Sequence, residues 1–394
     1  MTPKNKSTNH CLTCSNTATA TGKSRLQIFM MALLFSTNIV ANELPYGWLV
    51  TNGFRNQAKI ALVKPPPESK QFVLKVEEAP DQAKRILNEL FSRNNSKALL
   101  LAQGSTVLYE KYSFGVGKQN TPLGYSMSKS LTALAVGRAI CDGHIKSLDT
   151  PLKDHLPNLS GTSWGEASVR SVLRMSSGAY STSMQFNGHK NREMEQLVGP
   201  SIADGRMNTD FTELMLNSDE KRFEPGRYFN YSNLDTVALG LLVQAATGMP
   251  FNQYFEKTIW ADSGAESQGA WFINGKGQAS TYNGFSARPH DWVRIGLMVL
   301  RELRDESTCF GKFLHEGTKK QINSWGPANG YGYQIWTQCG SGTDFCFVGF
   351  GGQYLLFNVE KNLVLYHHAT TTSPVVWRTP EIFGPVIEGL KRDG

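Results

Sequence analysis

The stretch Tyr125-Ser126-Met127-Ser128-Lys129-Ser130 opens the most helix-like run of the chain, which continues to Cys141 before Gly143 stops it. Leu131, Leu134, Ala135 and Ala139 share a broad apolar face of that run. Ser126 and Lys129, three residues apart on a helix, lie on one side of it within mutual reach. A serine hydroxyl becomes a nucleophile beside a base. Lysine, with an ordinary pKa of about 10.4, becomes that base where burial or neighbouring positive charge lowers it. The start of a helix adds unpaired amides and the positive end of a dipole, favourable to a developing oxyanion. The bare Ser-x-x-Lys pattern also arises by chance. A second copy, Ser218-Asp-Glu-Lys221, stands in a polar stretch with no apolar helix directly behind it and reads as surface. Context selects Ser126 and Lys129.

Outward from this helix, apolar spacing predicts a helix over 83–91 and two strands, 97–102 and 106–112, joined by a tight turn at Gln103-Gly104-Ser105. Short helices and loops dominate 145–275, with the clearest helix at 234–247 before Gly248 and Pro250. An amphipathic helix follows at 291–304. The tail returns to strands at 331–337, 345–348, 353–358 and 363–367, and a last helix runs over 380–391. Strands at both ends joined by hairpins predict an α+β fold: an antiparallel β-sheet flanked by helices, with an inserted mainly helical region. The sheet region is then 80–144 with 276–394, the helical region 145–275, and a ligand cleft is expected between them.

Two further segments carry chemistry. Glu224-Pro-Gly-Arg-Tyr228-Phe-Asn230-Tyr231-Ser-Asn233 holds two Tyr-x-Asn triplets back to back. A tyrosine near lysines can shuttle protons and an asparagine can hold a substrate amide, but both tyrosines also suit a core with a polar tip. Gly349-Phe350-Gly351-Gly352-Gln353 leads into the apolar run Tyr354-Leu-Leu-Phe357. Glycines at a strand start let a ligand or another backbone come close, or mark a bulge. His367-His368 ends an apolar strand, where at most one ring can face a cleft, and structural placement is the favoured reading.

In this order the three segments resemble the serine β-lactamase and penicillin-binding superfamily, closest to its class C β-lactamase-like branch of esterases, amidases and D-amino-acid peptidases, for whose relatives a Ser-x-x-Lys nucleophile motif is known. Leu173-Arg-Met-Ser-Ser-Gly178 is similar to the branch's Leu-x-Met-x-Ser-Gly turn, and Pro225-Gly226 and Tyr331-Gly332-Tyr333 also match. The resemblance spans roughly residues 80–390. It implies that Ser126 is acylated and that Lys129 and Tyr231 relay protons to and from it, with Tyr228 left to packing. It implies that Asn233 contacts the acyl side of the substrate. The backbone amides of Ser126 and Gln353, the latter just past Gly351 and Gly352, would form the oxyanion hole. No metal or cofactor is implied. Where β-lactamases and D-alanyl peptidases carry Lys or His to hold a substrate carboxylate, this chain has Phe350. An uncharged small ester or amide is therefore the expected substrate, as for esterases and nylon-oligomer hydrolases of the branch, unless Arg288 or another cation reaches the site. The alternatives are a carboxylate-recognising β-lactamase or D-amino-acid peptidase, and a non-catalytic penicillin-binding or sensor domain.

Of 394 residues, 40 are Lys or Arg and 33 are Asp or Glu, for a formal net charge of +7. Lys4, Lys6, Lys23 and Arg25 precede residue 42 with no acid among them, so the remainder balances 36 bases against 33 acids at +3. With no basic run, nucleic-acid binding is not expected. That basic flank, the apolar run 28–35 and small residues up to Ala41 read as a secretory signal over 1–41, with an uncleaved anchor as the alternative. The expected order is signal, a lead-in over 42–79 and a hydrolase domain over 80–394, periplasmic or secreted, without stable membrane insertion after signal removal. Zinc is not expected, because the Cys and His residues lack ligand spacing. Cys11 and Cys14 would leave with the leader. Cys339 and Cys346 flank a turn-rich centre and are expected to bridge it, while Cys141 and Cys309 read equally as buried thiols or a bond.

Overall fold

The structure is a computed structural model that describes residues 59–93, 95–179, 210–324, 330–370 and 378–391. The 1–41 stretch read as an export signal and residues 42–58 of the lead-in lie outside the described residues. Its strands are β1 (Ile60–Val63), β2 (Lys75–Val76), β3 (Ser96–Gln103), β4 (Thr106–Tyr112), β5 (Gly269–Phe272), β6 (Phe285–Ser286), β7 (Gly330–Tyr331), β8 (Trp336–Gly340), β9 (Thr343–Gly349), β10 (Gln353–Asn358) and β11 (Leu363–Ala369). The helices that matter below are α1 (Asp81–Arg93), α2 (Met127–Cys141), α3 (Val169–Leu173), α4 (Phe211–Ser218), α5 (Asn233–Thr247), α6 (Pro289–Leu303), α7 (Cys309–Gly317) and α8 (Arg378–Gly389).

Eight strands form one sheet in the order β2-β4-β3-β11-β10-β9-β8-β7. Every pairing in it is antiparallel except the two-residue edge β2 against β4. The chain thus has the antiparallel sheet flanked by helices that its sequence predicts. Strand β3 is apolar along most of its length because both faces are covered. Leu99 and Leu101 pack with Leu87 of α1 and Phe383 of α8, while Ala98 and Leu100 face the core built around α2 and α6. Helix α2 is buried on all sides, with Arg138 and Ile140 among the few partly exposed positions, so it is a central strut rather than a one-faced surface helix. Helix α5 packs against it. Among the described residues no single helix is long and apolar enough to cross a membrane.

Three local features differ from the sequence reading. The single strand expected over 331–337 is a hairpin of β7 and β8, turned by Gly332 N–H donating to Ile335 O (2.8 Å) with Gln334 at φ 56°. A Cβ on Gly332 would lie 1.9 Å from the Gly317 carbonyl, so the close approach of α7 demands glycine there. Helix α7, capped by Thr308 Oγ1 accepting from Gly311 N–H at 2.9 Å, was not anticipated. A second sheet, β1-β5-β6, ties the lead-in to the end of the helical region. Its strands, four residues or fewer, are too short to show a period.

Both cysteine pairs are bonded. Cys339–Cys346 closes the β8–β9 hairpin as expected, and Cys141–Cys309, the pair left open, joins the end of α2 to the start of α7. Their sequence separations of 168 and 7 residues predict unequal effects on the unfolded chain. Replacing Cys141 and Cys309 by Ser should lower the unfolding free energy by about 5 kcal/mol, against about 2 kcal/mol for Cys339 and Cys346, from loop-closure entropy alone. Denaturant titrations of the two double variants check this ranking.

Candidate active site

Ser126 occupies the N-cap position of α2 (φ −65°, ψ −7°), yet its side chain makes no capping hydrogen bond. A serine there usually serves the helix by accepting from a first-turn amide. Instead its partly exposed hydroxyl faces Lys129, whose Nζ lies 3.2 Å from Ser126 Oγ. Lys129 is 1% exposed. Its Nζ also donates to Asn233 Oδ1 at 2.7 Å and to the Tyr282 carbonyl at 2.9 Å, and stands 5.1 Å above the Tyr231 ring. An ammonium has three N–H bonds, matching these three oxygens; a neutral amine keeps two, and its lone pair then falls on Ser126. The two shorter bonds therefore suit either protonation state. Ahead of Ser126, Tyr125 sits at φ 46°, a conformation L-residues adopt at a cost and one that clusters at functional sites.

Tyr231 reaches the same point from the segment that precedes α5. Its phenol is hydrogen-bonded to Ser126, which pulls its pKa down, but burial dominates and holds it above the ordinary tyrosine range. At neutral pH the group is thus a protonated phenol rather than a standing tyrosinate. Its ring stacks on Trp336 (centroids 5.5 Å) and meets Tyr331 edge-on at 6.3 Å. The loop bearing it is tied to the turn at 173–178. Gly226 N–H donates to Ser176 O (2.7 Å), Asn230 N–H to Met175 O (2.7 Å) and Asn230 Nδ2 to Ala179 O (2.8 Å). Buried Asp235, in the first turn of α5, completes the brace by accepting from Ser177 Oγ (2.7 Å) and Trp164 Nε1 (2.8 Å). Asn233 is the first residue of α5, so one helix start delivers both the Lys129 partner and this anchor.

The third segment forms the β9–β10 turn beside Ser126. Gly349 pairs with Gln353 and packs so tightly on the Gly124 carbonyl that a Cβ on it would come within 2.2 Å. Gly351 and Gly352 take φ of 82° and 95°, and Gln353 starts β10 in a buried position. Phe350 projects from the turn, 57% exposed, with its ring edge on Tyr125 at 5.9 Å.

The structure thus gathers Ser126, Lys129, Tyr231 and Asn233 at one point, with Gly351, Gly352 and Gln353 in the adjoining turn. Tyr228 is half exposed against Phe223 (4.8 Å). The second Ser-x-x-Lys lies at the end of α4 and beyond, with Lys221 paired to Glu224 at 2.8 Å on the surface. Arg288 precedes α6 and lines a different cavity, with Lys118, His290 and Arg294. Among the described residues no cluster of three His, Cys, Asp or Glu side chains is placed to hold a metal. Sequence reasoning missed Tyr282, which contributes a carbonyl and so leaves no side-chain signature, and Trp336 and Asp235, which act through a partner.

The Beta-lactamase family profile matches residues 98–378. The 6-aminohexanoate-dimer hydrolase of Paenarthrobacter ureafaciens is 24% identical over 302 residues, covering 73% of this chain and 76% of the relative. Among solved structures, a Bacillus anthracis protein described as a 6-aminohexanoate-dimer hydrolase superposes with a TM-score of 0.70 at 18% identity, over 87% of this chain and 92% of its own. A hydrolase with promiscuous acyltransferase activity, EstCE1, gives 0.58 at 15% identity, over 78% and 97%.

His367 and His368 do not contact Lys129 or Tyr231. His367 turns to the α8 side, with Nε2 2.7 Å from Ser96 Oγ and Nδ1 3.0 Å from Thr379 Oγ1, and burial pushes its pKa down to about 3. An imidazole depressed from its ordinary value of 6.5 to about 3 takes up a proton only on unfolding between those values. Its contribution to stability is therefore complete above about pH 6.5 and lost as pH falls, at roughly 1 kcal/mol per pH unit. His367→Gln should flatten the fall in urea midpoint between about pH 7 and 4.5; a slope equal to wild type would remove His367 from the acid response.

Proposed function

The chain belongs to the Beta-lactamase family, and from that premise we propose that it is a serine hydrolase working through an acyl-enzyme on a small, uncharged ester or amide. The observation that carries this reading is the buried Lys129 amine, 3.2 Å from Ser126 Oγ and held by Asn233 Oδ1 and the Tyr282 carbonyl. Ser126 Oγ attacks the substrate carbonyl carbon as its proton passes to Lys129. The carbonyl oxygen takes the negative charge, facing the backbone amides of Ser126 and Gln353. Collapse breaks the bond to the leaving group, whose oxygen or nitrogen receives a proton through Tyr231. Water then repeats the sequence in reverse roles and frees the acid. Asn233, which accepts from Lys129 through Oδ1, stands beside the reacting groups and is assigned the contact with the acyl part.

The substrate class rests on Phe350. At the position where a cation would hold a carboxylate, the mouth of the site presents an exposed aromatic ring. A carboxylate moved against it loses water without gaining a partner there. The relative's name, 6-aminohexanoate-dimer hydrolase, adds amides of aliphatic acids to the substrates worth assaying.

Ser126→Ala should abolish turnover of p-nitrophenyl butyrate with the thermal transition retained, and Lys129→Ala and Tyr231→Phe should each cut acylation by about 10²-fold or more, the scale of positioned proton transfer. Near-normal rates in either would take that residue out of the mechanism. Wild-type enzyme should turn over the ester and leave a chromogenic cephalosporin nearly untouched; fast cephalosporin turnover alone would point to the carboxylate-recognising alternative. A stable fluorophosphonate adduct on Ser126 without any ester turnover would instead indicate a sensor.

A further inference from the structure

Gln353 is a glutamine buried to 1% exposure at the head of an otherwise apolar strand. A buried amide is costly unless paired, so packing alone favours an aliphatic side chain here. Its pairing is specific. Nε2 donates to the Ala369 carbonyl at 2.6 Å, which fixes the amide orientation, and Oε1 therefore accepts from His368 Nδ1. That settles the tautomer: His368 carries its proton on Nδ1, and its buried Nε2 has no hydrogen-bond partner among the described residues. Burying an imidazole and an amide costs desolvation that their mutual hydrogen bond only partly repays. The fold tolerates that expense where a hydrophobic pair would avoid it.

The backbone indicates what is gained. The β10–β11 ladder starts at Tyr354↔His367, one residue after Gln353. On that side the side-chain bonds stand in for the missing rung. The acceptor carbonyl is presented by a register slip of β11 against β3 between His368 and Ala369, and such bulges re-aim groups beside functional sites. Just before Gln353 come Gly351 and Gly352, both at positive φ, so the chain has little local stiffness of its own.

We infer that His368 and the Gln353 side chain are positioning residues that clamp the start of β10, so that the Gln353 backbone amide stays aimed at the developing oxyanion. The inference rests on the acyl-enzyme reading above and extends it to two side chains that touch neither Lys129 nor Tyr231.

The test compares His368→Leu, His368→Asn and Gln353→Met with wild type on p-nitrophenyl butyrate, together with inhibition by phenylboronic acid, which forms a tetrahedral adduct on serine. Loss of a whole oxyanion donor costs about 10²–10³-fold, so a misaimed donor should cost about tenfold in kcat. His368→Leu and Gln353→Met should show that loss with KM within about twofold, and the boronate Ki should rise by the same factor as kcat falls. His368→Asn, whose amide N–H reaches the place of Nδ1, should recover to within about threefold. Wild-type kcat and boronate Ki in folded His368→Leu would overturn the clamp, as would equal damage from Asn and Leu, which would indicate packing. If His368→Leu does not fold, Gln353→Met decides by the same readings. Fluorophosphonate labelling of wild-type Ser126 separates the two layers: without it the acyl-enzyme reading and the clamp fall together, and with it, unchanged kinetics sink the clamp alone.

Discussion

A lysine amine sealed inside a protein is the constraint around which this cleft is organised. Lys129 is 1% exposed on a helix that is buried all round, and a charged group there costs several kcal/mol unless every N–H finds an oxygen. The sequence supplies those oxygens from far apart: Ser126 from the same helix turn, Asn233 from the start of α5, and the Tyr282 carbonyl from the segment before β6. The fold must therefore bring three separated segments to within 3.2 Å of one atom. Whichever state the amine is in, two of the acceptors serve it as donor targets, and the third, the serine, is where the states differ. On the proposed reading, that third contact is where the proton would pass.

The remaining architecture keeps those segments in place. The loop delivering Tyr231 has no secondary structure of its own before α5. Its rigidity comes from backbone bonds to the 173–178 turn and from Asp235, whose carboxylate satisfies an indole and a hydroxyl while sitting in the first turn of α5, where the helix dipole favours negative charge. Stacking on Trp336 fixes the phenol ring itself. On the opposite wall, Gly349 lets β9 approach the Gly124 carbonyl closely enough to set the β9–β10 turn beside Ser126. Helix, loop and hairpin each reach the cleft by a different element, so a shift in any one of them is resisted by bonds to the others.

Much of this was legible in the sequence where the signal lies in side chains and in period. The existence of α2, the run of strands at the tail and the three motif segments follow from apolar spacing and glycine placement, although α2 is buried all round where its spacing shows one broad face, and the structure brings Ser126, Lys129, Tyr231 and Asn233 together as the motifs imply. Three kinds of feature stayed hidden. Short strands such as β1 and β6 carry no period. The break at Gln334, which turns one expected strand into β7 and β8, depends on a left-handed residue that is not glycine. Contacts made by backbone, like the Tyr282 carbonyl, are independent of residue type. Electrostatic state was hidden too: a tyrosine beside a lysine reads as a candidate tyrosinate, but burial raises the Tyr231 pKa more than the Ser126 hydrogen bond lowers it.

The same separation governs recognition. The Lys129 amine is engaged by three protein oxygens, so on the proposed reading it serves proton transfer rather than holding a substrate charge. At the rim, Phe350 leans on Tyr125, and that contact joins the residue in left-handed strain before Ser126 to the turn before Gln353. An aromatic edge there gains from apolar substrate surface at roughly 25 cal/mol per Å² and gives a carboxylate nothing. On the proposed reading, then, affinity at the mouth scales with how much apolar acyl or alcohol surface a substrate lays on that ring pair. The rate depends on how firmly the serine, the amine and the two backbone amides are held. On that same reading, a ring that receives substrate and also touches the residue before the nucleophile couples these two quantities through the Tyr125–Phe350 contact.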